Sequence, residues 1–206
     1  MAPKVSEQYL EDRRNQILDA AVATFSRNGL HQTTIEDIRL EAGLSRGAVY
    51  HYFKSKEDII DAIRGRSARQ AEAIYISQTE ADDAESVLLG LIDSTVSSMV
   101  SPASVDANRL AMFLWAESLV NKRIMDGQMP AFKPYLAVLA ESVSNAQAEG
   151  KVDPGLDPQA TARLIAGAVM GLQLQLCWEP DIDIDASRAA LTSMLTGRFS
   201  QTPPLS

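Results

Sequence analysis

Arg46, Lys54 and Lys56 stand close together in a chain that is acidic overall, on or just after a short helical stretch opened by Ser45. Cations grouped in this way displace counterions from a polyanion and grip its phosphates. The same stretch holds Ser45 and His51, the residue types of a hydrolytic nucleophile and its base. Their spacing rules that chemistry out, because six positions apart on one short helix they lie on different faces, with no acid between them to orient the imidazole. No glycine-rich phosphate loop and no metal-ligand spacing occurs elsewhere, and His31 is the only other histidine. The sequence therefore implies no cofactor, no metal and no enzyme.

The cations are positioned by the stretch from Thr33 to Phe53, TTIEDIRLEAGLSRGAVYHYF, in which two short helical patterns are parted by Gly-Leu-Ser. That is a helix-turn-helix signature. Thr33 can cap the first helix while Glu36 reaches back to complete a capping box, and Ile35, Ile38 and Ala42 form a narrow apolar stripe. Gly43 suits a left-handed turn, Leu44 can pack between the helices, and Ser45 can cap the second helix, which would read DNA. Before this pair, Tyr9 to Asn28 reads as a covering helix with Ile17, Leu18, Ala21, Val22 and Phe25 on one face and Gly29 at its end. After it, Ser55 can cap a longer helix that starts Lys56, Glu57, Asp58, turns Ile59, Ile60 and Ile63 inward and runs to about Gln78. No flexible linker follows the head.

The net charge of −8 argues at first against nucleic acid, but its distribution does not. Residues 1–66 carry 10 Lys plus Arg against 10 Asp plus Glu, and the other 140 carry 9 against 17. A neutral head can hold phosphates locally while the acidic remainder suppresses indiscriminate binding, so salt-dependent, site-selective binding is expected. The 206 residues are 46% hydrophobic and 6% aromatic, which suits one helical core or two small ones. No unbroken run of 18 apolar residues suggests a membrane span, and MAPKVSEQYLEDRR has no apolar signal segment, so a cytoplasmic protein without a membrane partner is expected. The single cysteine, Cys177, lies beside Leu176 and Trp178 and reads as an inert small hydrophobe.

The rest of the chain also reads as helix. Glu85 to Met99 carries a stripe of Leu88, Leu91, Ile92, Thr95 and Met99, with Pro102 as its stop. Asp106 to Val120 has two apolar faces, one with Leu110, Phe113 and Leu114, the other with Met112, Trp115 and Leu119. Pro130 is expected to open a further helix that Gly150 closes, Asp157 and Pro158 to open one that runs to Trp178, and a last helix to span about Asp185 to Phe199. The helix from Pro158 is apolar all round, with Gly167, Gly171, Leu174 and Trp178 opposite Ile165, Val169, Leu172 and Leu176. One face can serve the chain's own core, and the glycine face would let a second subunit's helix approach closely. A homodimer is the economical reading, and the central helix of a monomeric bundle is the other. The fold class is all-α, a three-helix helix-turn-helix domain followed by a helical body, about nine to ten helices in all.

The segment RNQILDAAVATFSRNGL, the helix-turn-helix, and YHYFKSKEDII together resemble the DNA-binding domain of the TetR family of bacterial transcriptional regulators. The likeness covers about residues 10 to 63, and Arg39 stands where these regulators usually place a small residue. It implies residues 1–55 as the helix-turn-helix DNA-binding domain and residues 56–206 as a ligand-binding and dimerisation domain. It further implies a homodimer joined through its last two long helices, usually a repressor, that holds a small-molecule effector in its body and binds double-stranded operator DNA. Arg46, Gly47 and Ala48 match the start of the recognition helix, where side chains meet base edges. Arg46 has two readings, a guanine reader or a phosphate clamp. Thr33, Thr34, Ser45, Tyr50, His51 and Lys56 resemble positions that bond phosphates and fix register, although Ser45 also serves as a cap and Tyr50 is equally suited to packing.

Pockets in helical bodies are built from ordinary core residues, so effector contacts can only be ranked. Met99, Met112, Phe113, Trp115 and Leu139 could line an adaptable apolar site, and plain core is the competing reading. Glu117 shares a face with Leu110, Phe113 and Leu114, and Gln173 lies in an apolar helix, so either could supply a polar contact or be paired locally. Effector binding is expected to displace the Lys56 to Gln78 helix and so change the spacing of the two recognition helices, which must sit about 34 to 36 Å apart or a related multiple. A DNA-binding dimer of the same fold, controlled by a protein partner or without any ligand, is the alternative.

Overall fold

A computed structural model describes residues 6–78, 84–100 and 104–195, and within them the chain forms helices and no strands. The helices are α1 (Glu7–Gln32), α2 (Ile35–Ala42), α3 (Arg46–Tyr52), α4 (Lys56–Gln78), α5 (Ala84–Ser97), α6 (Ser104–Ser118), α7 (Lys122–Ala148), α8 (Pro158–Trp178) and α9 (Ile184–Leu195). The expected stop at Pro102 and the last residues of the final helix, to Phe199, lie outside the described residues.

Local chemistry explains most boundaries. The Ser6 hydroxyl accepts the Tyr9 N–H at 3.2 Å and starts α1. Gly29, at φ 78° and ψ 168°, breaks the helix where a stop was expected, but one further turn follows through Gln32. Gly43 adopts the left-handed conformation, φ 64°, and its N–H reaches the Leu40 carbonyl at 3.1 Å while the Leu44 N–H reaches that of Arg39 at 3.2 Å. Ser45 accepts the Ala48 N–H and Ser55 that of Asp58, so both expected caps are present.

Three local expectations are corrected. The α2 cap is Thr34, not Thr33: its hydroxyl accepts the Asp37 N–H at 3.2 Å, and the Asp37 carboxylate accepts the Thr34 N–H at 2.9 Å. Pro130 does not open a helix. It lies with Pro134 inside α7, which begins eight residues earlier at Lys122 beside the capping carbonyl of Asn121. α6 does not bury two full faces, because Leu110 and Leu114 are buried whereas Phe113 is 39% and Leu119 79% exposed.

Packing divides the chain into two units that do not follow the division at residue 55. The first comprises Met1–Arg69 and Arg109–Gly127, and the second Gln70–Asn108 and Gln128–Ser206, so α4, α6 and α7 contribute residues to both. The first unit's core gathers Ile17, Leu18, Ala21, Phe25, Ile38, Val49 and Ile59, each fully buried, with Leu110, Leu114 and Ile124. In this unit Arg64 of α4 donates to the Ile124 carbonyl at 3.0 Å and pairs with Asp61, which also accepts from Arg123 at 2.7 Å. The guanidinium lies against the Gly127 backbone, where any Cβ would collide with it.

The second unit's core is built from Leu88, Ile92 and Val96 of α5, Leu139 and Val143 of α7, and Ala162, Ile165 and Val169 of α8. α8 follows its expected bounds, and Asp157 accepts the Ala160 N–H at 2.7 Å. It also has the length and apolar composition of a membrane span, with mean hydropathy 1.2 over an 18-residue window. Its apolar run is not unbroken, because Arg163, Gln173 and Gln175 interrupt it. In the protein, Ile165, Ala166, Val169 and Leu176 are core.

Candidate nucleic-acid interface

α2, the Gly43 turn and α3 place Ile35, Glu36, Arg39, Ser45, Arg46, Val49 and Tyr50 around one open groove. Val49 is fully buried beneath it, which fixes which side of the short α3 faces outward. Arg46 is exposed on the first turn of α3, with its guanidinium 5.5 Å from the centre of the Tyr50 ring. Gly47 is exposed and a Cβ there would touch nothing, so the fold itself does not require glycine at this point. Lys54, just beyond α3, donates to the Tyr50 carbonyl at 2.7 Å and closes the helix, while the exposed His51 ring meets Tyr52 edge-on at 5.1 Å.

Two residues matched to phosphate contacts make hydrogen bonds inside the protein. Thr33 is 1% exposed and donates its hydroxyl to the Gly29 carbonyl at 2.8 Å. The Lys56 ammonium donates to the carbonyls of Leu30 at 2.7 Å, Thr33 at 3.1 Å and His31 at 3.4 Å, gathering the acceptors left unpaired where α1 ends. A lysine ammonium has three protons, and these contacts match that number. Thr34, Ser45, Arg46, Gly47 and His51 remain on the exposed side, with Ala48 and Tyr50 half-buried.

Sequence reasoning passed over Glu36 as a site residue and noted Arg39 only as an unusual one. Arg39 donates Nε and one terminal nitrogen to the two oxygens of Glu36, at 2.9 and 2.7 Å, and its other nitrogen to the Leu44 carbonyl at 2.8 Å. A large side chain is thus accommodated at a position usually small because it runs along the groove wall and bonds the turn. The Arg39 hydrogen bond, with the charges of Arg39 and Arg46, holds the Glu36 carboxyl below its ordinary range. The signal in the sequence was the basic residue three positions after an acid, a helical pairing distance.

The effector candidates are divided between the two packing units. Met99 and Leu139 are buried in the second unit's core, whereas Met112, Phe113, Trp115 and Glu117 belong to the first unit. Glu117 is not aimed into an apolar site. It accepts from the Asn121 amide at 3.1 Å and meets His31 at 2.9 Å, and these two partners lower its pKa. Gln173 donates to Asn108 at 3.1 Å, and Asn108 in turn donates to the Met99 carbonyl at 2.9 Å, a polar line within the second unit. Tyr135 was missed. Its hydroxyl is buried without a hydrogen-bond partner of good geometry, and burial pushes its pKa up.

On α8, Leu164 is 75% and Trp178 69% exposed, Leu174 is half-buried, and a Cβ at Gly167 or Gly171 would meet nothing. Apolar side chains and bare backbone therefore share the flank opposite Ile165, Val169 and Leu176.

Residues 17–63 match the family described as "Bacterial regulatory proteins, tetR family", and residues 98–200 match "BetI-type transcriptional repressor, C-terminal". The chain is similar to the HTH-type transcriptional regulator UidR of Escherichia coli (strain K12), 27% identical over 187 residues, which is 89% of this chain and 91% of UidR. Among solved structures, FadR from Bacillus subtilis in complex with stearoyl-CoA has a TM-score of 0.76 at 24% identity, covering 88% of this chain and 97% of FadR. Salmonella enterica GusR has a TM-score of 0.72 at 23% identity, covering 94% and 99%. The two solved structures share the fold. The matched families and relatives are regulators of transcription and not enzymes.

Proposed function

Because this chain belongs to the TetR family of bacterial regulatory proteins, we propose that it is a cytoplasmic homodimeric repressor that leaves a palindromic operator when a small molecule binds its body. The observation that carries the reading is the helix-turn-helix itself. Two capped helices around a left-handed Gly43 hold Arg46, Gly47 and Tyr50 on one exposed side over a fully buried Val49. Arg46, at the first turn of α3, is the base-edge contact, and Gly47 lets the backbone come close to the DNA. Thr34, Ser45, Ala48, Tyr50 and His51 flank it and fix register on the phosphates.

The dimer reading rests on the α8 flank of Leu164, Gly167, Gly171, Leu174 and Trp178, where a second copy would cover apolar surface and approach the glycines closely. Residues 56–206 then supply dimerisation and the effector site, and residues 1–55 the DNA-binding head. Tyr135 and the Gln173–Asn108 pair offer polar contacts within an otherwise apolar core. The structural neighbour FadR holds stearoyl-CoA, so a body of this fold can hold a large ligand with a long apolar chain. Because α4, α6 and α7 each contribute residues to both packing units, a ligand that displaces one of them alters the packing of the head and the spacing of the two heads.

The test is fluorescence anisotropy of the purified protein on DNA from its own promoter region, at two salt concentrations with random duplex as competitor. Preference for a palindromic segment, weakening steeply with salt, is the expected result. A folded protein that binds that segment no better than random duplex would remove the reading.

A further inference from the structure

Beside the exposed Arg46 lies a fixed negative charge. The Glu36 side chain is 57% exposed, yet its two oxygens are held at 2.7 and 2.9 Å by one guanidinium. The Arg39 side chain that holds them is only 23% exposed and is anchored a third time on the turn, at the Leu44 carbonyl. The carboxylate is therefore placed by the backbone of the turn, in the same groove wall as Ser45, Arg46 and Tyr50. Each of its oxygens carries about two acceptor sites, and Arg39 takes one from each.

A carboxylate facing duplex DNA has few favourable partners. Phosphates repel it, as do guanine N7 and O6 and thymine O4, which are acceptors like itself. Exocyclic amino groups are the donors in the major groove, and a carboxylate pairs best with cytosine N4. The Arg39 bond and the nearby Arg46 charge keep Glu36 ionised, so protonation does not relieve the repulsion from a wrong base.

We propose that Glu36 selects a cytosine amino group in each operator half-site, and that Arg39 is the positioning residue that holds the carboxylate for that contact. The proposal rests on the reading of α2 and α3 as the DNA-facing pair. It assigns the charge pair a discriminating role: Arg46 attracts the DNA, and the clamped carboxylate penalises the sequences in which no amino group meets it.

The experiment selects bound sequences from a pool of randomised duplex DNA with the full-length protein and with Glu36→Ala, Glu36→Gln and Arg39→Ala. Circular dichroism and melting temperature serve as folding controls. The unaltered protein should enrich a palindrome with a C·G pair at one position of each half-site. Glu36→Ala should lose roughly 5- to 150-fold of preference at that position and keep the others. Glu36→Gln should shift the same position toward adenine, because a glutamine amide pairs with adenine N6 and N7. Arg39→Ala should blur that position more than any other. An unchanged position in the Glu36 variants would overturn the assignment while leaving the DNA-reading head intact. A uniform loss in Arg39→Ala would overturn its positioning role. Enrichment of nothing by the unaltered, folded protein would remove the DNA-reading assignment itself, and this proposal with it.

Discussion

The reading head and the outer flank of α8 both face outward, and they do so in opposite chemical terms. In the head, several outward polar groups are already engaged: Thr34 with Asp37, Arg39 with Glu36 and the turn, Ser45 with the first turn of α3. Its apolar residues Phe25, Ile38 and Val49 are fully buried. On α8 the exposed large apolar groups are Leu164 and Trp178, beside glycines with open space above them. A polar surface with its own bonds satisfied is stable in water and suits a hydrated, charged partner. An apolar surface with backbone laid bare gains stability only when another apolar surface covers it.

The sharpest way to break the contrast is Trp178→Glu. If the flank is a subunit interface, a buried charge there should cost about 2 to 4 kcal/mol of association, and sedimentation should shift from dimer to monomer. An unaltered protein that sediments as a monomer at micromolar concentration would show that the flank stands uncovered. Within the head, Lys56→Ala should cost about 1 to 3 kcal/mol, since three carbonyls lose a cationic donor, and should lower the melting temperature. Its salt slope on DNA should stay unchanged. A slope reduced by about one per half-site, with stability kept, would return Lys56 to the phosphates.

Gly47→Ala sharpens the comparison from the other side, because no protein atom lies in the way. Helix propensity should raise head stability by about 1 kcal/mol while operator affinity falls, and affinity that holds or rises would mean that the backbone does not approach DNA there. The smallest effect concerns Asp37. The Thr34 hydroxyl and backbone hold its carboxyl below the ordinary 3.8. A depressed folded value gives stabilisation that is complete above the ordinary value and is lost as pH falls through the folded one. The melting-temperature gap between the unaltered protein and Asp37→Asn should therefore be constant above about pH 5 and close below it. A gap independent of acid would mean that the cap does not depend on the charge.

The head was legible because short-range chemistry decides it. Gly43, Ser45 and Ser55 act within one turn of where they stand, so residue type and spacing suffice. The choice between Thr33 and Thr34 was not local, since both have an acid three residues on and burial of Thr33 decided it. The carbonyl partners of Lys56 were hidden for the same reason, because they lie 23 to 26 positions away in the chain. Pro130 misled because proline usually opens a helix. Here Pro130 and Pro134 are four apart, both exposed, so the carbonyls they deprive belong to the exposed residues Asp126 and Pro130. The effector site stayed illegible because a cavity depends on what distant side chains leave unfilled, which periodicity does not encode.

The meeting of Arg64 with the bare backbone of Gly127 also couples the substitutions open to this chain. A side chain gained at position 127 would push the flexible Arg64 guanidinium away from Ile124 and Asp61, whereas the same change beside a shorter residue at 64 would meet no guanidinium. The two positions are thus epistatic: the cost of a substitution at 127 depends on the residue that stands at 64.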